Sequence, residues 1–164
     1  VDQIASVAAI SFDTSFGRCA IVWEAGVITG FSLPPTHCGS QRPPPWVTRV
    51  ISRVQRHLAG EMQDFADLPY SWDTVSDFQR QVYRAALSVK PGQTASYGQL
   101  AASAGHPSMS REVGRALGQN PWPLLIPCHR FIGADGRMTG FSSPGGIKTK
   151  LRLLALEGAQ LFAE

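Results

Sequence analysis

Residues 126–131 read IPCHRF, which places a thiol, an imidazole and a guanidinium in consecutive positions behind the apolar run WPLLIP (122–127). A free thiol is a weak nucleophile at neutral pH because only a few per cent of it is thiolate, and a nearby histidine can take its proton. These residue types are chemically able to supply a sulfur nucleophile and its base, and the question is whether the chain brings them together. Successive side chains of a strand point to opposite faces, so the two groups cooperate only if the backbone turns there. The competing reading of Cys128 is a small buried hydrophobe, the usual fate of a free cysteine.

The other cysteines are Cys19 and Cys38. An odd, sparse count argues against a disulfide framework and for a reducing compartment. Cys19, His37 and Cys38 lack the C-x-x-C spacing of a metal site, and no metal is expected. The first residues, VDQIASVAAISFD, show neither a basic leader nor a cleavage site, and no apolar run is long enough for a membrane span. A hydrophobic fraction of 43% with 16% charged residues fits a globular chain, not a disordered one.

The elements that must position the Cys–His pair follow from pattern. Residues 6–33 carry β-branched and aromatic runs broken by DTSFG and EAG, which predicts two or three antiparallel strands. The proline-rich stretch 34–45 reads as a loop. Residues 46–61 place Val47, Val50, Ile51, Val54 and Leu58 at helical spacing with arginines on the other face. Residues 65–76 look like an irregular linker. A helix over 77–89 opens on Asp77 as N-cap, and Ser96 caps a short helix over 97–105 that Gly105 ends. A third helix covers 110–120. Two short helices with a tight turn between them suggest a helix-turn-helix, although an ordinary helical hairpin is the commoner form of that pattern. Residues 120–133 then run extended through the interior, ADG (134–136) turns, and an amphipathic helix over 145–158 ends at Gly158. Charge is uneven: six Lys/Arg against eight Asp/Glu over 1–80, nine against four over 81–164, which hints at a polyanionic partner for the second half.

SYGQLA, REVGRALGQNP, IPCHR, TGFSSPGG and RLLALEGA occur here in order. Together, over about residues 77–159, they resemble the O6-alkylguanine-DNA alkyltransferases, the methylated-DNA–protein-cysteine methyltransferases. The resemblance implies an α/β fold. A small strand-rich α/β subdomain (1–75) precedes a mainly helical domain (76–164) with a helix-turn-helix and an active-site cysteine turn. The implied reaction is irreversible, single-turnover transfer of an alkyl group from O6-alkylguanine in DNA to Cys128, after the base is flipped out. His129 would deprotonate Cys128 through a water, Glu157 would orient His129, and Asn120 would tie the recognition-helix segment to the active turn. Tyr97 would stabilise charge on the leaving guanine. Backbone around Phe131, and Phe141 with Ser142 in GFSSPGG, would line the base pocket. On the helix that Ser110 opens, Arg111 would fill the gap in the DNA stack, with small residues Gly114 and Ala116 allowing close approach to the minor groove. Arg130 takes a structural or phosphate-facing role.

The implied partner is double-stranded DNA carrying O6-alkylguanine. No cofactor and no membrane are implied, and the expected form is an intracellular, cytoplasmic monomer. Phe141 stands where many members have tyrosine, Phe131 where valine is common, and Glu112 where alanine is frequent; Ser143–Pro144 lengthens the pocket loop. A non-catalytic damage-marking relative is the alternative, but such relatives lack the cysteine of PCHR. A helix-turn-helix regulator would want more polar base-reading side chains than REVGRALGQ offers. A cysteine hydrolase would turn over and would need an oxyanion hole.

Overall fold

The computed structural model describes residues 8–34, 39–133 and 146–159. Three strands, β1 (Ala8–Thr14), β2 (Gly17–Glu24) and β3 (Val27–Ser32), form an antiparallel meander in the order β1-β2-β3. The sheet's inner face supplies Phe12, Cys19, Ile21, Trp23, Ile28 and Phe31 to the core. Residues 39–41 extend its edge, where Ser11 N–H bonds Gly39 O and Gln41 N–H bonds Ala9 O. Helix α1 (Pro45–Leu58) buries Val47, Val50, Val54, His57 and Leu58. Its first residue is a proline of the expected loop, because at N1 the missing N–H has no helical partner to lose.

The expected linker is part of the core. Phe65, Leu68 and Tyr70 are buried, Ile28 N–H bonds Pro69 O at 2.7 Å, and Tyr70 OH donates to Phe65 O. The segment is irregular in backbone and apolar in burial, which composition did not separate. A 3-10 turn (Trp72–Thr74) leads to α2 (Asp77–Ala86). Its N-cap is Ser76 rather than Asp77. Ser76 Oγ accepts from Gln79 N–H while Gln79 Oε1 accepts from Ser76 N–H, a reciprocal capping box that Asp77 leaves to its neighbour. Ser96 starts α3 (Tyr97–Ser103) as the sequence predicts, and Gln99 completes the same reciprocal box. Helix α4 (Ser110–Gly118) packs against α2 and α3.

Past α4 the chain does not run extended. Ile126 N–H returns to Trp122 O at 2.9 Å and Pro123 bridges Ile126, with Leu124 at φ +77° and fully buried. The prolines on either side of this doubled-back run fix where it reverses. Trp122 ties the halves of the molecule together: its Nε1–H donates to Ile28 O at 2.8 Å, and Phe31 N–H reaches Pro121 O at 3.0 Å. A 3-10 turn over Cys128–Arg130 follows. Then β5 (Phe131–Ile132) pairs in parallel with β4 (Ala95–Ser96), a two-stranded ladder that the sequence did not announce. Helix α5 (Gly146–Leu156) closes the described fold. Among the described residues no helix is long and apolar enough to cross a membrane.

Candidate active site

The backbone turn that the adjacent Cys128 and His129 require is the 3-10 turn, where Cys128, His129 and Arg130 are all buried. The turn lets the successive side chains of His129 and Arg130 converge on one group, Glu157, as neighbouring positions of a strand would not. Asn120 braces the turn from the end of α4. Its Nδ2–H donates to Ile126 O at 2.9 Å and its Oδ1 accepts from Trp122 N–H at 2.9 Å. Its amide also reaches the Cys128 sulfur, which favours the thiolate.

Glu157 is the C-cap of α5. The helix ends in a left-handed glycine: Gly158, at φ +77°, bonds Ala155 O, and Ala159 N–H returns to Leu154 O at 3.0 Å. A carboxylate at a helix C-terminus meets the unfavourable end of the macrodipole. Here it is offset by donors. Arg130 grips both oxygens, Nε to Oε1 at 2.9 Å and Nη2 to Oε2 at 2.7 Å. His129 Nε2 lies 3.0 Å from each oxygen, and His57 Nε2 lies 2.9 Å from Oε2. Burial opposes the ion, yet Arg130, His129 and His57 together hold the carboxyl well below the usual carboxylate range.

That geometry fixes the His129 tautomer. A carboxylate only accepts, so Nε2 carries the hydrogen and Nδ1 the lone pair. Nδ1 is buried and has no hydrogen-bond partner among the described residues. It is the atom able to take a proton. Arg130 points inward, with Nη1 on Val89 O at 2.7 Å, so it is a structural clamp and not a phosphate contact.

Cys128 as a residue is 6% exposed. Burial pushes its thiol up to about 11, against the pull of Asn120 and Lys150. The neutral thiol is thus the resting form, and its thiolate has to be made by proton transfer to a base.

Lys150 escaped the sequence reading. It is fully buried on α5, with no hydrogen-bond partner among the described residues, and its Nζ lies 5.9 Å from the Tyr97 ring centroid. Burial drives its ammonium below the ordinary lysine value while Cys128 pulls it back. Each group alone is disfavoured as an ion; as a thiolate–ammonium pair they stabilise one another. The available signal was helical spacing: Lys150, Leu153, Leu154 and Glu157 fall on one stripe, and a lysine on an apolar stripe is unusual. His57 gave the same kind of signal, three residues after Val54.

The remaining candidates separate by exposure. Tyr97 is half-buried at the start of α3, brought beside the active turn because Ser96 pairs with Ile132. Phe131 is fully buried, so what it offers a ligand is backbone. Ser110 and Arg111 are exposed, and space is open around Gly114. Ala116 is a correction: it lies on the buried face of α4, where its carbonyl accepts Tyr83 OH at 2.6 Å, and it offers nothing to a groove. Glu112 turns aside into the cleft between α2 and α4 that Arg115 and Gln79 also line. Phe141, Ser142, His37 and Cys38 lie outside the described residues.

A family model described as 6-O-methylguanine DNA methyltransferase, DNA binding domain, matches residues 77–159. A methylated-DNA–protein-cysteine methyltransferase of Mycolicibacterium paratuberculosis is 39% identical over 150 residues, covering 88% of each chain. One from Mycobacterium leprae is 33% identical over 160 residues, covering 93% of each. The crystal structure of Mycobacterium tuberculosis OGT in complex with DNA is similar at a TM-score of 0.77 and 32% identity, over 94% of this chain and 95% of that one.

Proposed function

The chain belongs to the 6-O-methylguanine DNA methyltransferase family, and on that premise we propose that it repairs DNA by moving an alkyl group from guanine O6 onto the sulfur of Cys128. The observation that carries this reading is the His129 ring, held by Glu157 through Nε2 with its basic Nδ1 left for the thiol. The Cys128 proton passes to Nδ1 across one water. The thiolate attacks the alkyl carbon, a C–S bond forms, and the C–O6 bond breaks with its electron pair leaving on the guanine. Tyr97 stabilises that charge by hydrogen bonding, the guanine anion takes a proton from solvent, and His129 releases the former thiol proton to solvent. Lys150 stabilises the thiolate in the interval. No group among the described residues is placed to hydrolyse a thioether, so each molecule is expected to act once. Intact mass after mixing with methylated duplex tests this: a gain of one methyl group per chain, on Cys128, is expected. Turnover of methylated DNA beyond one equivalent overturns it.

His129 must be neutral to accept the proton. Burial holds its pKa below 6.5, outweighing Glu157. The base form therefore persists at pH values where an ordinary histidine is charged. The transfer rate is expected to stay level from about pH 8 down through the ordinary histidine value of about 6.5, and to decline only below it. The same lowered pKa means that the unfolded chain binds more protons, so stability also falls on the acid side, and the profile is read where the fold is intact. A decline centred at or above the ordinary histidine value contradicts this assignment of the base.

For the DNA we propose that α3 and α4 act as a helix-turn-helix in the minor groove, with Arg111 filling the gap left by the flipped nucleotide. The exposure of Ser110 and Arg111 and the open space at Gly114 support this. Extrusion from a duplex costs a few kcal/mol that a single strand does not require. Arg111→Ala is therefore expected to slow transfer about tenfold on a methylated duplex and much less on a single strand. Equal losses on both substrates make Arg111 an ordinary phosphate contact. An intracellular monomer fits this reading.

A further inference from the structure

The relay just described leaves one buried group without a role. His57 sits in the last turn of α1, fully buried, 100 residues from Glu157 in sequence, yet its Nε2 is 2.9 Å from Glu157 Oε2. The direction of that bond is set from the far side of the ring. Gln63 N–H donates to His57 Nδ1 at 3.0 Å, so Nδ1 bears the lone pair and Nε2 the hydrogen. The ring lies 5.4 Å from that of Phe65. The end of α1 is fixed in the same way as the end of α5: Gly60, at φ +105°, bonds His57 O, and Glu61 N–H returns to Arg56 O at 2.9 Å. Two helix termini with left-handed glycines thus present an imidazole and a carboxylate to one another.

A carboxylate has about four lone-pair sites. Arg130 takes one on each oxygen and His129 lies equidistant from both. His57 supplies the remaining donor, on Oε2, from a part of the molecule that holds no other member of the relay. The charged and titratable groups facing His57 are Glu157 at the end of α5 and, across that carboxylate, His129 and Arg130 of the active turn. Arg130 alone fixes the carboxylate along one edge. A second donor from outside the turn fixes where Oε2 sits relative to the His129 ring.

We propose that His57 is a positioning residue for alkyl transfer: its Nε2–H, delivered by α1, sets the Glu157 carboxylate that orients His129, so the first half of the chain acts directly on the activation of Cys128. This rests on the Cys128–His129–Glu157 relay proposed above.

The test compares His57→Gln with His57→Asn in the full chain. The glutamine amide nitrogen is as many bonds from Cβ as Nε2 and can donate to Glu157. Asparagine is too short to reach Glu157, although its oxygen can still accept from Gln63 N–H. Both are polar and smaller than histidine, so packing losses are shared. Single-turnover transfer on methylated duplex is expected to fall about tenfold in His57→Asn and to stay within about threefold of wild type in His57→Gln. The acid limb of the His57→Asn rate profile should move to higher pH, as the freed carboxylate supports protonation of His129. A purely structural role would not move that limb. Equal losses in both variants, tracking their melting temperatures, overturn the proposal, as does wild-type rate and pH profile in His57→Asn. His129→Gln is the control. If it transfers at wild-type rate, the relay itself is wrong; if it is slow while both His57 variants are normal, only the role of His57 falls.

Discussion

Cys128→Ser is expected to take up no methyl group from methylated duplex while still binding it. A serine hydroxyl is far less acidic than a thiol and far less nucleophilic toward an alkyl carbon, and His129 cannot close that gap. The substitution replaces a buried, nearly isosteric atom on a turn held by Asn120, so the fold should survive. The DNA contact proposed for Arg111 lies on the exposed side of α4, which the substitution does not touch. Cys19 supplies the contrast. It is buried in β2 with Thr14 Oγ1 4.0 Å from its sulfur, and burial pushes its thiol up to about 11. Cys19→Ser is expected to retain transfer. Burial raises both thiols alike, so the expected difference between the two variants rests on the relay proposed for His129 and not on thiol acidity. Methyl uptake by Cys128→Ser, measured by intact mass, rules out Cys128 as the acceptor.

How far the sequence discloses this site depends on whether the signal is local. The Ser96 cap and the antiparallel meander are each written within a few residues, and the structure carries both. Asn120 and Glu157 are distant from Cys128 in sequence; the resemblance named them, and spacing alone could not. The misread elements fail for identifiable reasons. Residues 65–76 have linker composition but bury Phe65, Leu68 and Tyr70, because burial there follows tertiary contact with β3 and not a period. Asp77 loses the cap to Ser76 because only the residue three before Gln79 completes the reciprocal box. The parallel pairing of β4 with β5 involves two residues on each side, too few for any pattern, yet it brings Tyr97 to the active turn. Lys150 and His57 sit on apolar helical stripes, where a polar side chain signals a buried partner without naming it.

Glu157→Gln should show how much of the site one carboxylate holds. Arg130, His129 and His57 all direct N–H groups at it, and Arg130 is buried beside it. The amide presents one oxygen where the carboxylate presented two, and its NH2 faces donors. Removing one partner of a buried ion pair leaves the other charge uncompensated, a loss of about 3–5 kcal/mol. At this chain length that corresponds to a fall in melting temperature of roughly 6–20 °C. Transfer should fall at least about a hundredfold, because His129 loses both its orientation and the charge that stabilises its protonated form. The two effects can be separated. Adding Arg130→Met removes the stranded cation and should recover much of the stability, since apolar replacements of buried ion pairs are often neutral or better. It cannot restore the base. The acid side provides a further check on sign. Glu157 is held well below its ordinary value of 4.5, so its stabilisation is complete above that value and is lost as pH falls through the lowered one. Glu157→Gln should therefore lose part of the wild-type dependence of stability on pH in the acid range. Recovery of transfer together with stability in the double variant would make the carboxylate a packing element and remove it from the relay.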